Sequence, residues 1–303
     1  MPRLSRTVAR LLILLAATAP PAAGEEFTFD YQKIVEAPEP VRLDLRLVRG
    51  SVEITGAEDN RVVIEAVKRV RAGSRDEAEE LADHIEIKTR LNGTAVEVQT
   101  NYLGITSRGR SFWQKVFGKG EDAPGEVAYK VSVPVRSDVT VQGLAATITL
   151  ASIEGAVRVE NESGATRAEY IFGPVTVSQP QGDIDLLWIE GDIRVKATTG
   201  TVTVNQVRGA LDIATHTGEV HVRTELDSPR DFFVATTSGK ITFAIPPAAS
   251  GRFLVETASG GIQSQVPLVI ESVTRQQLIG SFGRGGPRIN LTTSSGDVTV
   301  AQY

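Results

Sequence analysis

Apolar residues fall in pairs two positions apart, and the pairs recur every nine residues: Val157/Val159, Val175/Val177, Ile184/Leu186, Ile193/Val195, Val202/Val204, Leu211/Ile213 and Val220/Val222. Alternation with period two marks a short strand with one buried face. A glycine stands two positions before the pairs, at Gly155, Gly173, Gly182, Gly191, Gly200, Gly209 and Gly218. Gly164 keeps the beat where the pair is the smaller Thr166/Ala168. The units are of two alternating kinds. One has an aliphatic residue two before the glycine (Ile153, Ile171, Ile189, Val207), the other a polar residue just before it (Ser163, Gln181, Thr199, Thr217). The period is therefore 18 residues, two strands to a coil. The pattern predicts an all-β protein, a two-sided parallel β-solenoid whose coils bury their apolar pairs against each other.

The register runs past the perfect stretch. Upstream, Ala146 takes a glycine slot before Ile148/Leu150, and Ser137 takes the one before Val139/Val141. Downstream, turns enlarged by three residues at Leu226–Pro229 and Pro246–Ala249 precede Phe232/Val234 and Phe253/Val255. Glycine units resume at Gly239 and Gly260. After an insertion, Gln265 to Gly286, the units at Pro287 and Gly296 again stand nine apart. Read in chain order, this makes about eight coils and roughly 40 Å of stack at about 4.8 Å per strand. The solenoid repeats thus occupy residues 136–303.

Residues 25–135 are less regular and read as an N-terminal cap. Val41–Leu45 and Gly50–Ile54 lie nine apart and predict a first coil. Strands are expected at Val62–Val70, Ile85–Thr89, Ala95–Thr100 and Glu126–Val133. The capping box Ser74-Arg75-Asp76-Glu77 opens a helix running to His84. A stack of strands needs its exposed ends covered against edge-to-edge growth. The cap serves one end, and the insertion 265–286 is the candidate for the other.

Composition adds a compartment and removes several chemistries. Arg3, Arg6 and Arg10, the apolar run Leu11–Ala17 and the small residues Ala22-Ala23-Gly24 form a secretory signal over residues 1–24. No later segment is apolar and long enough for a membrane helix, so the expected product is exported, to the periplasm or the cell surface. The chain has no cysteine, which excludes disulfides, thiolate nucleophiles and thiolate metal sites. Without the leader, 29 basic residues face 37 acidic ones, a balance opposed to nucleic-acid binding.

A nine-residue glycine repeat invites comparison with the calcium β-roll, which places Asp two after a glycine. Here that slot is aliphatic, and Asp183, Asp192 and Asp297 come one after it. His216, Glu219 and His221 cluster in one coil without a further zinc ligand, and His84 stands alone. Outward residues 18 apart form ladders, Arg167-Asp185-Thr203-His221 and Arg158-Thr176-Arg194-Asp212. These read as cross-coil pairs, and no paired carboxylates stand out for glycoside hydrolysis. No catalytic, cofactor or metal residue is therefore assigned. Two features are candidate contact elements. Tyr170 and Trp188 share a column and would stack in adjacent coils, either to hold a sugar ring or to pack a corner. The insertion from Tyr102 to Gly125 places Phe112, Trp113, Lys115 and Phe117 among glycines and further basic residues.

The ensemble resembles the bacterial putative-adhesin family, a domain of unknown function built as a parallel β-solenoid. The resemblance rests on Gly50–Ile54, the Asp76–Leu81 helix, Val131–Pro134 leading into Asp138–Val141, the alternating Gly units, and the ending Gly283–Val298. It implies an exported, non-enzymatic role as a binding, adhesin-like or scaffold module of the cell envelope. The partner class would be an envelope protein, a polysaccharide or another surface ligand. The alternative is a carbohydrate-active solenoid enzyme, a polysaccharide lyase or hydrolase. A third reading is a structural element that assembles end to end.

Overall fold

The computed structural model describes residues 25–103 and 125–303; the leader at 1–24 lies outside them. Among the described residues are 23 strands and one helix, arranged as two faces of stacked strands with the apolar core between them. The coils stack in parallel with an 18-residue offset, as in Val157↔Val175↔Ile193↔Leu211 on the first face and Thr166↔Ile184↔Val202↔Val220 on the second.

Numbered by position in the stack, coil 1 is the continuous strand Val41–Ala57 and coil 2 is Ser137–Glu154. Coils 3 to 6 are Val157–Ser163 with Thr166–Phe172, Val175–Gln181 with Ile184–Glu190, Ile193–Thr199 with Val202–Arg208, and Leu211–Thr217 with Val220–Asp227. Coil 7 is Phe232–Ser238 with Ile241–Ile245.

Each coil turns where a glycine lies directly over the turn of the preceding coil. At Gly182 the backbone is left-handed (φ +110°), and an added Cβ would lie 1.7 Å from the Gly164 carbonyl oxygen. No side chain fits there, because strand spacing brings the two turns within backbone contact. Ala146 is tolerated in its glycine slot because its Cβ is buried in the core while its carbonyl takes the same place beneath Gly164. The carbonyls left over at these turns are met by buried amides. Asn161 Nδ2 donates to Ala146 O (2.9 Å), Gln179 Nε2 to Gly164 O (3.0 Å), and Gln206 Nε2 to Gly191 O (2.9 Å). Such pairing is required of polar groups withdrawn from water. The small Thr166 rung is completed the same way, its hydroxyl donating to Gln179 Oε1 at 2.6 Å.

Spatial order departs from chain order at both ends. After coil 7 comes Arg288–Ser295 with Val298–Gln302 as coil 8; the earlier segment Gly251–Ser259 with Ile262–Ser264 is coil 9. The Gly260 turn accordingly sits on Gly296, whose carbonyl oxygen is 2.0 Å from a Cβ built at Gly260. The insertion after Ser264 adds Gln277–Phe282 antiparallel to coil 9 and Val269–Val273 antiparallel to that, closing the first face.

At the other end, coil 1 lies between coil 2 and a split coil formed by Ala95–Tyr102 and Gly125–Pro134. Antiparallel strands finish this end: Ile85–Asn92 on the first face, Arg61–Ala72 and then Glu25–Glu36 on the second. The helix Arg75–Asp83 connects the two faces here. Ser74 Oγ accepts from Glu77 N (3.3 Å), and Glu77 Oε2 accepts from Gly73 N (2.9 Å). The strand Glu25–Glu36 has no counterpart in the sequence reading. It is an edge strand with most side chains partly or fully exposed, so its apolar alternation is weak.

Two outcomes follow. Gly182→Ala is expected to cost about 3 kcal/mol or more in urea unfolding, left-handed strain plus a backbone clash, whereas Gly93→Ala (φ +63°), at an open hairpin turn with nothing within 4 Å, should cost the strain alone, about 1–2 kcal/mol. A chain ending at Gly286 loses coil 8 and should expose residues 251–264 to proteolysis while coils 3 to 6 keep their amide-exchange protection. Uniform loss of protection would contradict the interleaved order.

Candidate functional site

The second-face strands of coils 3 and 4 alternate normally until Tyr170 (φ +55°) and Trp188 (φ +58°), both left-handed. Non-glycine residues adopt this conformation at a cost of about 1–2 kcal/mol. The kink sends the next residues, Ile171 and Ile189, fully into the core and leaves both aromatic rings half exposed. The rings are parallel within 6°, with centroids 6.5 Å apart. In coil 5 the equivalent Gln206 stays in the core, so the aromatic column stops at two. Beside it runs a second column, Phe172-Glu190-Arg208. Phe172 is also half exposed, and Arg208 Nη2 donates to Glu190 Oε2 at 2.6 Å.

Four residues after Trp188 the chain enters an open groove of about 620 Å³ on the first face. Its floor is the outward ladder Thr176, Arg194, Asp212 and Phe233. Its wall is Pro229–Asp231, at the enlarged turn before coil 7. Arg230 reaches back over coil 6 to pair with Asp192, and Arg194 Nε lies 3.3 Å from Asp212 Oδ2. The Arg230 guanidinium holds the Asp192 carboxyl below the usual carboxylate range; burial opposes it, and the Ala210 amide adds to the lowering.

The aspartates one after a glycine serve the stack. Asp183 Oδ1 accepts from Thr201 N (2.8 Å), Asp192 Oδ1 from Ala210 N (3.0 Å), and Asp297 Oδ1 from Gly261 N (2.7 Å). Each satisfies a turn amide of the adjoining coil. The His cluster is likewise locally bonded: His216 Nδ1 is 3.1 Å from Thr237 Oγ1, and His221 Nε2 is 3.2 Å from Glu219 Oε2. Among the described residues no group of three or more His, Cys, Asp or Glu side chains is placed to hold a metal ion.

Of the candidate contact residues, Tyr170 and Trp188 are brought together. Phe112, Trp113, Lys115 and Phe117 lie outside the described residues. The roots of their insertion are clasped at the split coil, where Tyr102 Oη donates to Gly125 O (3.2 Å). Burial pushes the Tyr102 phenol up to about 12. The groove was not anticipated. Its one sequence signal is the enlarged turn at Leu226–Pro229, followed by Arg230, whose partner Asp192 lies 38 residues away.

Two faces of parallel strands stacked at an 18-residue offset define a β-solenoid. The chain belongs to the Toastrack DUF4097 family, a domain of unknown function, whose model matches residues 50–301. No curated protein matches it. Among solved structures, a putative adhesin from Bacteroides fragilis is 10% identical over 92% of this chain and 97% of its own, with a TM-score of 0.39. A putative lipid binding protein from Parabacteroides distasonis is 10% identical over 90% and 96%, with a TM-score of 0.39. A putative cell adhesion protein from Clostridium sporogenes is 12% identical over 91% and 100%, with a TM-score of 0.26. At such values nothing about function passes from these proteins to this chain.

If the aromatic rings are surface features, Trp188→Gly should relieve the left-handed backbone and leave unfolding stability within about 1 kcal/mol. A corner held together by the rings would lose several times that in the same denaturation experiment.

Proposed function

We propose that this protein is an exported, non-enzymatic binding or scaffold module of the bacterial cell envelope, acting in the periplasm or at the cell surface. Its contact elements are the Tyr170/Trp188 corner and the insertion bearing Phe112, Trp113, Lys115 and Phe117. The observation that carries this reading is the aromatic corner. Two large rings are kept half in water at adjacent corners that do not themselves require an aromatic, since Ser152 takes the same left-handed backbone one coil earlier. The parallel, stacked rings offer an exposed apolar surface to a sugar ring or to an extended polypeptide.

In the groove, Arg230 holds the Asp192 carboxyl below the usual carboxylate range, the opposite of the raised pKa that a glycoside hydrolase's acid needs. The long ladders of threonine and paired charges suit recognition of an extended partner.

Crosslinking in living cells, followed by identification of the captured component, tests the proposal. The expected partner is an envelope polysaccharide or envelope protein, and its yield should fall about tenfold or more in Tyr170→Ser/Trp188→Ser. The same loss is expected of Phe112→Ser/Trp113→Ser/Phe117→Ser. Full capture by both variants, or turnover of envelope polysaccharide by the pure protein, would overturn it.

A further inference from the structure

The two faces end unevenly beyond coil 9. The first face continues through Gln277–Phe282 to the edge strand Val269–Val273, while the second stops at the short strand Ile262–Ser264. The overhang leaves aliphatic side chains uncovered. Val269, Val273 and Ile270 are 74%, 62% and 58% exposed, the highest values among the large hydrophobics of the described residues. Ile270 and Val273 stand opposite Gly280 and Leu278. Facing residues share one side of a sheet, and Leu278 belongs to the core. These two therefore lie on the core side, where the opposing face has run out. Val269 stands opposite Ser281 on the other side. The apolar groups thus wrap both sides of one edge.

The edge is a poor template for another strand. A register shift between Ile270 and Ser272 breaks its ladder, a device that blunts edge pairing. Glu271 at the break is tied to Arg252 (2.5 Å) and Ser281 (2.7 Å). The occupant must take up aliphatic side chains without asking for backbone hydrogen bonds. Charge narrows it further. Arg275, in the turn after the edge strand, and Arg284, beyond the far end of the next strand, are exposed and make no ion pair among the described residues. The one carboxylate of the insertion, Glu271, is already neutralised by Arg252. A chain that is acidic overall therefore presents at this end an apolar ridge flanked by guanidiniums.

We infer that the C-terminal end of the stack docks on an anionic phospholipid surface. Val269, Ile270 and Val273 enter the headgroup–acyl boundary, and Arg275 and Arg284 meet the lipid phosphates. Shallow burial at the boundary keeps the edge backbone within reach of water. This inference rests on the overhang and is independent of the aromatic corner.

Flotation with vesicles of phosphatidylcholine and phosphatidylglycerol in equal parts, against phosphatidylcholine alone, tests it, with circular dichroism as the folding control. The protein should float with the anionic vesicles and release at high salt. Val269→Ser/Ile270→Ser/Val273→Ser should reduce partition about tenfold or more, and Arg275→Gln/Arg284→Gln should abolish the preference for anionic lipid. If the serine variant proves unfolded, Val269→Ser alone, at the most exposed position, should still lower partition. Absence of flotation, flotation indifferent to these substitutions in folded protein, or a dimer in solution that the serine variant dissociates would overturn it. The last outcome would assign the ridge to a second copy.

Discussion

Everything in this molecule follows from how closely one turn lies on the next. Parallel strands stack at a spacing that brings the turn of each coil onto the carbonyl oxygen of its neighbour, with no room for a side chain between them. The glycine beat is the chain's answer to that contact. Once the turns are in place, the remaining choices are nearly forced. Aliphatic pairs fill the narrow space between the faces, buried amides take the turn carbonyls, and aspartates take turn amides of the adjoining coil. Outward positions are released from structural duty. They carry exposed ion pairs, each worth about 0–1 kcal/mol.

That division explains what could be read in advance. The contact is local and identical in every coil, so coil length, strand positions and the inward face were legible from glycine and aliphatic spacing alone. The capping box at Ser74 and Glu77 was legible for the same reason, since its partners are three residues apart. The order of the last coils was not. The Pro287/Gly296 unit has the same register whether it stacks above or below the Gly260 unit, and the choice is made by the length and pairing of the insertion between them. Nor was the groove legible, because Arg230 and Asp192 meet across a coil, a relation no nine-residue pattern encodes.

The molecule's surface falls into three unlike regions. One corner displays aromatic rings on a strained backbone. One face carries a groove in which Asp192 and Asp212 are paired with Arg230 and Arg194. One end projects an apolar edge protected from strand addition. All three are open and shallow, and they point in directions set by the stack.

The interleaved ends also bear on how the molecule comes to be folded. A chain appearing N-terminus first delivers coil 1 before either of its neighbours, and coil 9 before coil 8. The two ends differ. Residues 25–134 pair among themselves around coil 1, and coil 2 then docks directly on it; coil 9 takes its place in the stack only when coil 8 enters between it and coil 7. Residues 288–302 are thus a wedge between coils 7 and 9, and a chain without them carries an unclosed end.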